Sequence, residues 1–248
     1  MKEKIRNYIK NLNADDVGFA SLKDYLSPNT PNVESYFPEA KSIIVMAYRG
    51  LSTCESIDPL LAMNGRMDKD EVMRCDSYKA GHILEDEFNA KIISIPKALP
   101  ISKIPSIFSI RHAAVAAGLG TFGRHNLVIH PKFGTRVTFS AIITNLELES
   151  DEPVKKNLCN NCNICVKNCP AKALDEEGKT DVLKCMKVSQ PYFATSQLQF
   201  LSQLSSGDNN KKIEMIKNYW PYYQANSIGF QYYCFNCFKL CPACLEHN

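Results

Sequence analysis

The distribution of cysteine constrains this chain more than any other feature of its sequence. Of its 11 cysteines, only Cys54 and Cys75 precede residue 159, and the other nine lie between Cys159 and Cys244. The N-terminus lacks the apolar segment of a secretory signal peptide. A disulfide framework needs an oxidising compartment and would not concentrate its cysteines in this way. The pattern therefore predicts a cytoplasmic protein whose thiols bind metal.

Four of these cysteines form a regular run, Cys159-x2-Cys162-x2-Cys165-x3-Cys169, followed by Pro170. This is the spacing of bacterial ferredoxins, in which the first three thiolates bind one 4Fe–4S cluster and the fourth binds another. The two-residue gaps let one loop wrap the corner of a cluster, and the three-residue step with proline directs the fourth thiol away. A zinc site is the alternative, and this spacing of four cysteines followed by proline argues against it.

A second, permuted set of cysteines supplies the remaining ligands. Cys185 stands alone, and the run Cys234-x2-Cys237-x3-Cys241 ends in Pro242. We assign the first cluster to Cys159, Cys162, Cys165 and Cys241. We assign the second cluster to Cys169, Cys185, Cys234 and Cys237. Cys244 is left over; we interpret it as a spare buried thiol, with a substitute ligand or a redox-active residue as alternatives.

Apolar periodicity predicts a mixed α+β protein. Helices are expected at the N-terminus, at 70–89 and at 109–119, and strands at 41–48, 91–95, 127–129 and 136–143. An acidic, turn-rich stretch at 149–153 suggests a boundary. We expect an N-terminal domain at 1–150 and an iron–sulfur domain at 151–248. The cysteine-free residues 186–233 form a helical insertion, with one helix near 211–220.

Charge and hydropathy restrict the partners of this chain. The net charge of +3 is spread evenly along the sequence, without the block of like charge typical of a nucleic-acid-binding arm. Two clusters would each add about two negative charges, so the basic balance does not argue for nucleic acid. Because no apolar run approaches the roughly 20 residues that cross a bilayer, we expect no membrane association.

Residues 111–151, followed by the first cysteine run, resemble the epoxyqueuosine reductases and, more faintly, the corrinoid reductive dehalogenases. The resemblance includes FPEAKSIIVMAY (37–48), AGLGTFGRHNL (117–127), ITNLELESD (143–151) and all eight cluster cysteines. It covers most of the chain. It implies a nitroreductase-like N-terminal domain that holds cobalamin against a ferredoxin-like domain with two 4Fe–4S clusters, from which electrons reach cobalt.

The same resemblance implies which residues contact the corrinoid. They lie in and around the segment 118–126, in which glycines allow close backbone approach and polar side chains can pair with the amides or phosphate of the cofactor. The expected cofactor-binding residues are Arg111, Gly118, Gly120, Gly123, Arg124, His125 and Asn126.

Two departures from the family bear on the substrate. Epoxyqueuosine reductases carry an aspartate, the expected proton donor, about a dozen residues before the AGLG segment, whereas residues 100–108 here contain no acid. The chain is a short form that ends four residues after Cys244, without the helical-repeat tail of the tRNA-modifying members. We therefore expect a substrate other than tRNA.

Without that aspartate, a proton donor must come from elsewhere. A polar stripe at helical spacing is formed by Cys75, Tyr78 and His82. It either provides a phenol and an imidazole for proton transfer or is simply a solvated helix surface. His112 lies inside the family-like segment, where it is either catalytic or structural. Tyr78, His82 and His112 are thus the candidate catalytic residues, and His130 is expected at the surface.

Three functions remain open at this point. The first is a cobalamin-dependent reductase acting on a small molecule. The second is an electron-transfer partner or reductive activator of another corrinoid protein or metalloprotein, and the third is a flavin-dependent reductase. All three predict an oxidoreductase or electron carrier that works under anaerobic conditions. Its electron donor would be a low-potential protein such as ferredoxin or flavodoxin.

Overall fold

The structure, a computed structural model, describes residues 1–28, 30–95, 108–175, 179–192, 194–206 and 208–244. Helices and antiparallel strands coexist in it, which confirms the α+β class. By packing, the chain divides into two compact units. The first unit comprises Met1–Gly50, Asp68–Cys162 and Cys241–Asn248, and the second comprises Leu51–Met67 and Asn163–Leu240. The predicted domains, 1–150 and 151–248, stay a prediction, and the division by packing follows different boundaries.

The first unit is built on a four-stranded antiparallel sheet. Its strands lie in the order β1-β2-β6-β3. They span Asp16–Ser21 (β1), Ser42–Arg49 (β2), Ile92–Ile95 (β3) and Val137–Thr144 (β6). One row across the sheet pairs Gly18 with Val45, Val45 with Ala141, and Ala141 with Ile95. The two central strands are long apolar runs because both of their faces are buried.

Helices cover both faces of this sheet. On one face, Ile43, Val45 and Ala141 pack against the alanines of α3 (Ile110–Ala116). On the other face, Ile44 and Ile142 pack against α1 (Lys2–Lys10) and the later turns of α2 (Pro59–Phe88). Each layer excludes water from one side of the sheet, which is the main source of its stability.

A short hairpin follows α3 in the chain. Its strands are β4 (Thr121–Phe122) and β5 (Val128–Ile129), paired in antiparallel register. Gly118, just after the end of α3, adopts a left-handed φ of 71°, as expected of a glycine C-cap. Of the residues predicted to bind the corrinoid, Arg111 lies in the first turn of α3, and the others lie between the end of α3 and β5.

The second unit is helical. Its helices are α4 (Ile164–Lys167), α5 (Val182–Ser189), α6 (Ala194–Ser206), α7 (Asn209–Lys217), α8 (Trp220–Tyr223) and α9 (Asn236–Lys239), with a π-helical turn at Gln224–Ile228. A small apolar cluster joins Ala62 and Met63 of α2 to Phe235. Most of the described residues in the predicted insertion at 186–233 are helical.

The prediction that His130 is a surface residue was wrong. His130 is only 3% exposed, its ring stacks on Phe133, and its Nε2 lies 3.3 Å from a carboxylate oxygen of Asp16. A bridge between His130 and Gly134 closes the turn after β5 and turns the imidazole inward. In the described parts of the chain, no helix combines the length and the apolar character needed to cross a membrane.

Candidate functional site

Asparagines shape the loop that carries the first cysteine run. The backbone N–H of Cys162 donates to Asn160 Oδ1 at 3.2 Å. Asn161 and Asn163 adopt left-handed φ angles of 54° and 58°. Asparagine tolerates this region better than other residues that have a Cβ. The sequence CNNCNIC thus encodes a tight loop.

In the first unit, three predicted ligands of the first cluster come together. Burial raises the pKa of the Cys241 thiol, and the thiols of Cys159 and Cys162 raise it further. The guanidinium of Arg136 acts in the opposite direction. It also donates from Nη1 to the carbonyl oxygen of Cys241 at 2.5 Å. Cys165, the fourth predicted ligand, follows Cys162 by three residues in the chain.

In the second unit, the four predicted ligands of the second cluster come together. Burial raises the pKa of Cys237 to about 12, and thiols at 169, 165, 234 and 185 contribute to the rise. The pKa of Cys185 is likewise raised, first by burial and then by Cys234 and Cys169. Thiols from three separate stretches of sequence therefore lie within electrostatic range of one another.

Hydrogen bonds between backbone and side chains hold these stretches in place. Asp181 caps the N-terminus of α5 by accepting from the backbone N–H of Lys184, which fixes the helix that carries Cys185. The N–H of Tyr233 donates to the carbonyl of Ser189 at 2.9 Å. The side-chain amide of Asn236 donates to the carbonyl of Asn168 at 2.9 Å.

The three remaining cysteines occupy different environments. Cys54 is fully buried and Cys75 is exposed. Cys244 is half-buried with a left-handed φ of 59°, and burial raises the pKa of its thiol. Among the residues that the structure describes, no three His, Cys, Asp or Glu side chains lie close enough together to surround a single metal ion.

The glycines of the predicted cofactor segment are explained by contacts inside the protein. A Cβ on Gly120, whose φ is 157°, would lie 2.2 Å from the carbonyl oxygen of Ile129. A Cβ on Gly118 would lie 2.4 Å from the carbonyl oxygen of Glu152. A Cβ on Gly123 would lie 2.4 Å from the ring of His125. The close approach that these glycines permit is therefore to the chain's own backbone and imidazole.

His125 has one satisfied and one unsatisfied ring nitrogen. Its Nδ1 accepts from the backbone N–H of Leu127 at 3.1 Å, which places the proton of the neutral ring on Nε2. That Nε2–H is buried and has no hydrogen-bond partner among the described residues. The residue is 4% exposed, and burial lowers its pKa to about 4. A neutral imidazole thus holds a buried donor that needs an acceptor.

The cofactor segment also touches a predicted cluster ligand. The backbone N–H of Arg124 donates to Cys159 Sγ at 3.3 Å. Thr121, at the start of the same hairpin, accepts the N–H of Leu158 through its Oγ1 at 3.1 Å. Arg111 donates from Nη1 to the carbonyl of Asn126 at 2.5 Å, and this hydrogen bond stabilises the β4–β5 turn.

The candidate catalytic residues fall into two groups. Tyr78 is 71% exposed, and its ring contacts that of His82, also exposed, at 4.6 Å, which supports the solvated-surface interpretation of this stripe. His112 is half-buried, its Nδ1 lies 2.8 Å from Ser109 Oγ, and its ring packs against Phe122. Residues 96–107, which include most of the segment without an acid, lie outside the described residues.

Two arginines near the thiols were not found from the sequence. Arg136 lies beside Cys241, as described above. Arg66, near the start of α2, places its guanidinium carbon 4.2 Å from the ring centre of Phe235 and 4.1 Å from that of Phe238. The one available signal was an arginine within the apolar segment 60–67 of α2.

By its fold, the chain is like epoxyqueuosine reductases and reductive dehalogenases of known structure. A crystal structure of an epoxyqueuosine reductase aligns with all of this chain and 66% of its own, with a TM-score of 0.65 and 19% identity. The epoxyqueuosine reductase of Bacillus anthracis is 24% identical over 272 residues, 98% of this chain and 64% of that protein. The tetrachloroethene reductive dehalogenase of Dehalobacter restrictus is 40% identical over 85 residues, 32% of this chain and 15% of that protein.

These similarities confirm the resemblance noted in the motifs. The chain is similar to epoxyqueuosine reductases over nearly its whole length, and it spans less than two thirds of the length of each of these proteins. No family model matches the sequence.

Proposed function

We propose that this protein is an iron–sulfur oxidoreductase that passes low-potential electrons through two 4Fe–4S clusters to a corrinoid and a small-molecule substrate. The observation that carries the proposal is the convergence of the thiols at 169, 185, 234 and 237 within the second unit. Thiolates that raise one another's pKa cannot all ionise unless positive charge compensates them. Clustered soft thiolates are the donor set that iron–sulfur clusters prefer.

The first cluster is proposed to bind Cys159, Cys162, Cys165 and Cys241. Support comes from the electrostatic coupling of Cys241 to Cys159 and Cys162. The N–H of Arg124 already donates to Cys159 Sγ, as expected for a sulfur that carries negative charge.

The orphaned donor of His125 supports a corrinoid in the first unit. A buried N–H without an acceptor costs about 1–3 kcal/mol, and a polar ligand would relieve this cost. Corrinoids carry a rim of amides whose oxygens accept hydrogen bonds. When bound, the clusters supply one-electron carriers and the corrinoid supplies a cobalt centre of low potential.

Of the candidate catalytic residues, we retain His112. Ser109 Oγ accepts the backbone N–H of His112 and lies 2.8 Å from its Nδ1; when the hydroxyl donates to Nδ1, the imidazole proton lies on Nε2. Burial and the adjacent Arg111 lower the pKa of His112, so the ring is neutral near pH 7. In this tautomer the neutral imidazole can donate a hydrogen bond from Nε2 to a bound substrate.

The test is anaerobic purification followed by measurement of iron, acid-labile sulfide and extractable cofactor. We expect about eight iron and eight sulfide per chain. We also expect tight binding of added hydroxocobalamin with a change in its visible spectrum. Cys244→Ser should leave the iron content unchanged, which makes it the control for any ligand variant.

Other outcomes of these measurements would contradict the proposal or favour a different function. Stoichiometric zinc with little iron would remove the basis of the proposal. A yellow protein that releases flavin would favour a flavin-dependent reductase. A cluster-replete protein that binds no corrinoid would favour an electron-transfer partner. Electron transfer from reduced ferredoxin or flavodoxin would identify the class of donor.

A further inference from the structure

Arg66 is held by aromatic rings in the second unit. Its guanidinium carbon lies 4.2 Å from the ring centre of Phe235 and 4.1 Å from that of Phe238. A cation within about 6 Å of an aromatic face is attracted by the electron density of the ring. Two such contacts fix the position of the charge more firmly than one contact from a flexible side chain would.

The charge of Arg66 is only partly compensated. Its Nε and Nη2 atoms are buried and have no hydrogen-bond partner among the described residues. These two atoms form one edge of the guanidinium, the edge that commonly binds a carboxylate or phosphate. Cys54 and Glu55 act on the arginine electrostatically, and burial lowers its pKa. Arginine stays protonated in proteins, so a permanent positive charge occupies this region.

The anchors of Arg66 are the immediate neighbours of cluster ligands. Phe235 and Phe238 directly follow Cys234 and Cys237 in the chain. Tyr232 supplies a third link: burial is the main cause of its raised hydroxyl pKa, Cys185 raises it further, and Arg66 lowers it. Tyr232 therefore lies within electrostatic range of both the arginine and a third ligand.

Resting on the cluster assignment proposed above, we infer that Arg66 raises the reduction potential of the second cluster. A 4Fe–4S core with four thiolates carries about two negative charges when oxidised and takes up one electron from a low-potential donor. The reduced form has one more negative charge, so a fixed cation stabilises it more than the oxidised form. Charge and solvent exposure are among the factors that set cluster potentials. The rings of Phe235 and Phe238 add to the effect by keeping water from the cation.

The experiment compares midpoint potentials in the full-length, cluster-replete protein. Arg66→Met removes the charge and keeps an unbranched apolar side chain, and Arg66→Lys keeps the charge. Arg74→Met is the matched control, because Arg74 is an exposed arginine on the same helix and its loss changes the net charge equally. Anaerobic redox titration with dithionite, followed by electron paramagnetic resonance, resolves the two clusters.

We expect Arg66→Met to lower one of the two midpoint potentials and leave the other unchanged. Arg66→Lys should shift the same potential less, and Arg74→Met should shift neither. If Arg66→Met retains full iron content and both potentials equal those of the wild type, the inference is overturned.

Two further outcomes are separable from this one. If Arg66→Met, Arg66→Gln and the charge-retaining Arg66→Lys all lose the second cluster, Arg66 supports the cluster structurally, and the electrostatic role is rejected. If the wild-type protein itself contains no iron–sulfur cluster, the proposed function fails, and this inference fails with it.

Discussion

Replacing His125 by Asn and by Gln separates the roles of its two ring nitrogens. An asparagine amide at this position places its oxygen near that of Nδ1 and can still accept from the N–H of Leu127. It does not extend to the position of the buried Nε2–H. A glutamine amide extends to that position and keeps a donor there, but gives up the acceptor for Leu127. Both variants lose ring volume, so the comparison between them isolates the two hydrogen bonds.

The magnitudes follow from the burial of the donor. If the corrinoid supplies the acceptor for Nε2–H, losing this bond costs about 1–3 kcal/mol of binding, which weakens Kd by about 5- to 150-fold in His125→Asn. His125→Gln should bind within a few-fold of the wild type. The order reverses for folding, since the bond to Leu127 contributes about 0.5–1.5 kcal/mol and is lost only in the glutamine variant.

Two measurements check this pair of variants. Hydroxocobalamin titration, followed by visible absorbance in anaerobic protein of verified iron content, gives Kd. Urea denaturation gives the free energy of unfolding. His82→Asn, at an exposed histidine, controls for the chemistry of the substitution. Equal corrinoid affinity in wild type and His125→Asn, with full iron content, would refute the role assigned to Nε2–H.

Three other predictions concern ligands, pH and folding. Cys241→Ser and Cys185→Ser should each lower iron from about eight to about four per chain, with different clusters lost by electron paramagnetic resonance; loss of the same cluster in both would contradict the assignment. Because burial lowers the pKa of His125 from 6.5 to about 4, the unfolded chain binds this proton first as pH falls. The contribution of His125 to stability is therefore complete above pH 6.5 and lost toward pH 4. Between these pH values, the free energy of unfolding from urea denaturation should fall by up to about 3 kcal/mol less in His125→Asn than in the wild type. Asp151→Asn removes the partner of half-buried Arg6 at 2.8 Å and should lower stability by about 2 kcal/mol without loss of iron; an unchanged urea midpoint would contradict this.

The proposed cysteine ligands could be assigned from the sequence because an iron–sulfur cluster requires a characteristic spacing of its ligands. Two-residue gaps suit one loop around a metal core, whatever the rest of the fold. The pairing of Cys185 with the C-terminal run was predicted by counting ligands, and the structure places these thiols within range of each other. The central strand β2 was predicted from its continuous apolar run, which is typical of a strand buried on both faces. Strand β6 was predicted from alternating apolar residues at 136–143, and the structure buries both of its faces.

Other features depend on tertiary contacts and cannot be recognised from the local sequence. Strand β1 was missed because DVGFAS is short and contains a glycine, and its burial comes from pairing with β2. His130 was expected at the surface because histidine in a turn is usually solvated. Arg66 and Arg136 were missed because arginine is rarely buried, and only the structure shows the rings and the carbonyl that hold them.

The β4–β5 hairpin, which contains part of the predicted cofactor segment, is hydrogen-bonded to the start of the first cysteine run. Thr121 accepts the N–H of Leu158, and Arg124 donates to Cys159 Sγ, so the hairpin and the cysteine loop form one hydrogen-bonded piece. A side chain on Gly120 would strike the carbonyl of Ile129 within this hairpin and would disturb both parts at once. Loss of corrinoid binding on changing that glycine would therefore not identify a binding residue. The ring of His125 provides the cleaner test, because its unsatisfied nitrogen belongs to a side chain whose other nitrogen already secures the turn.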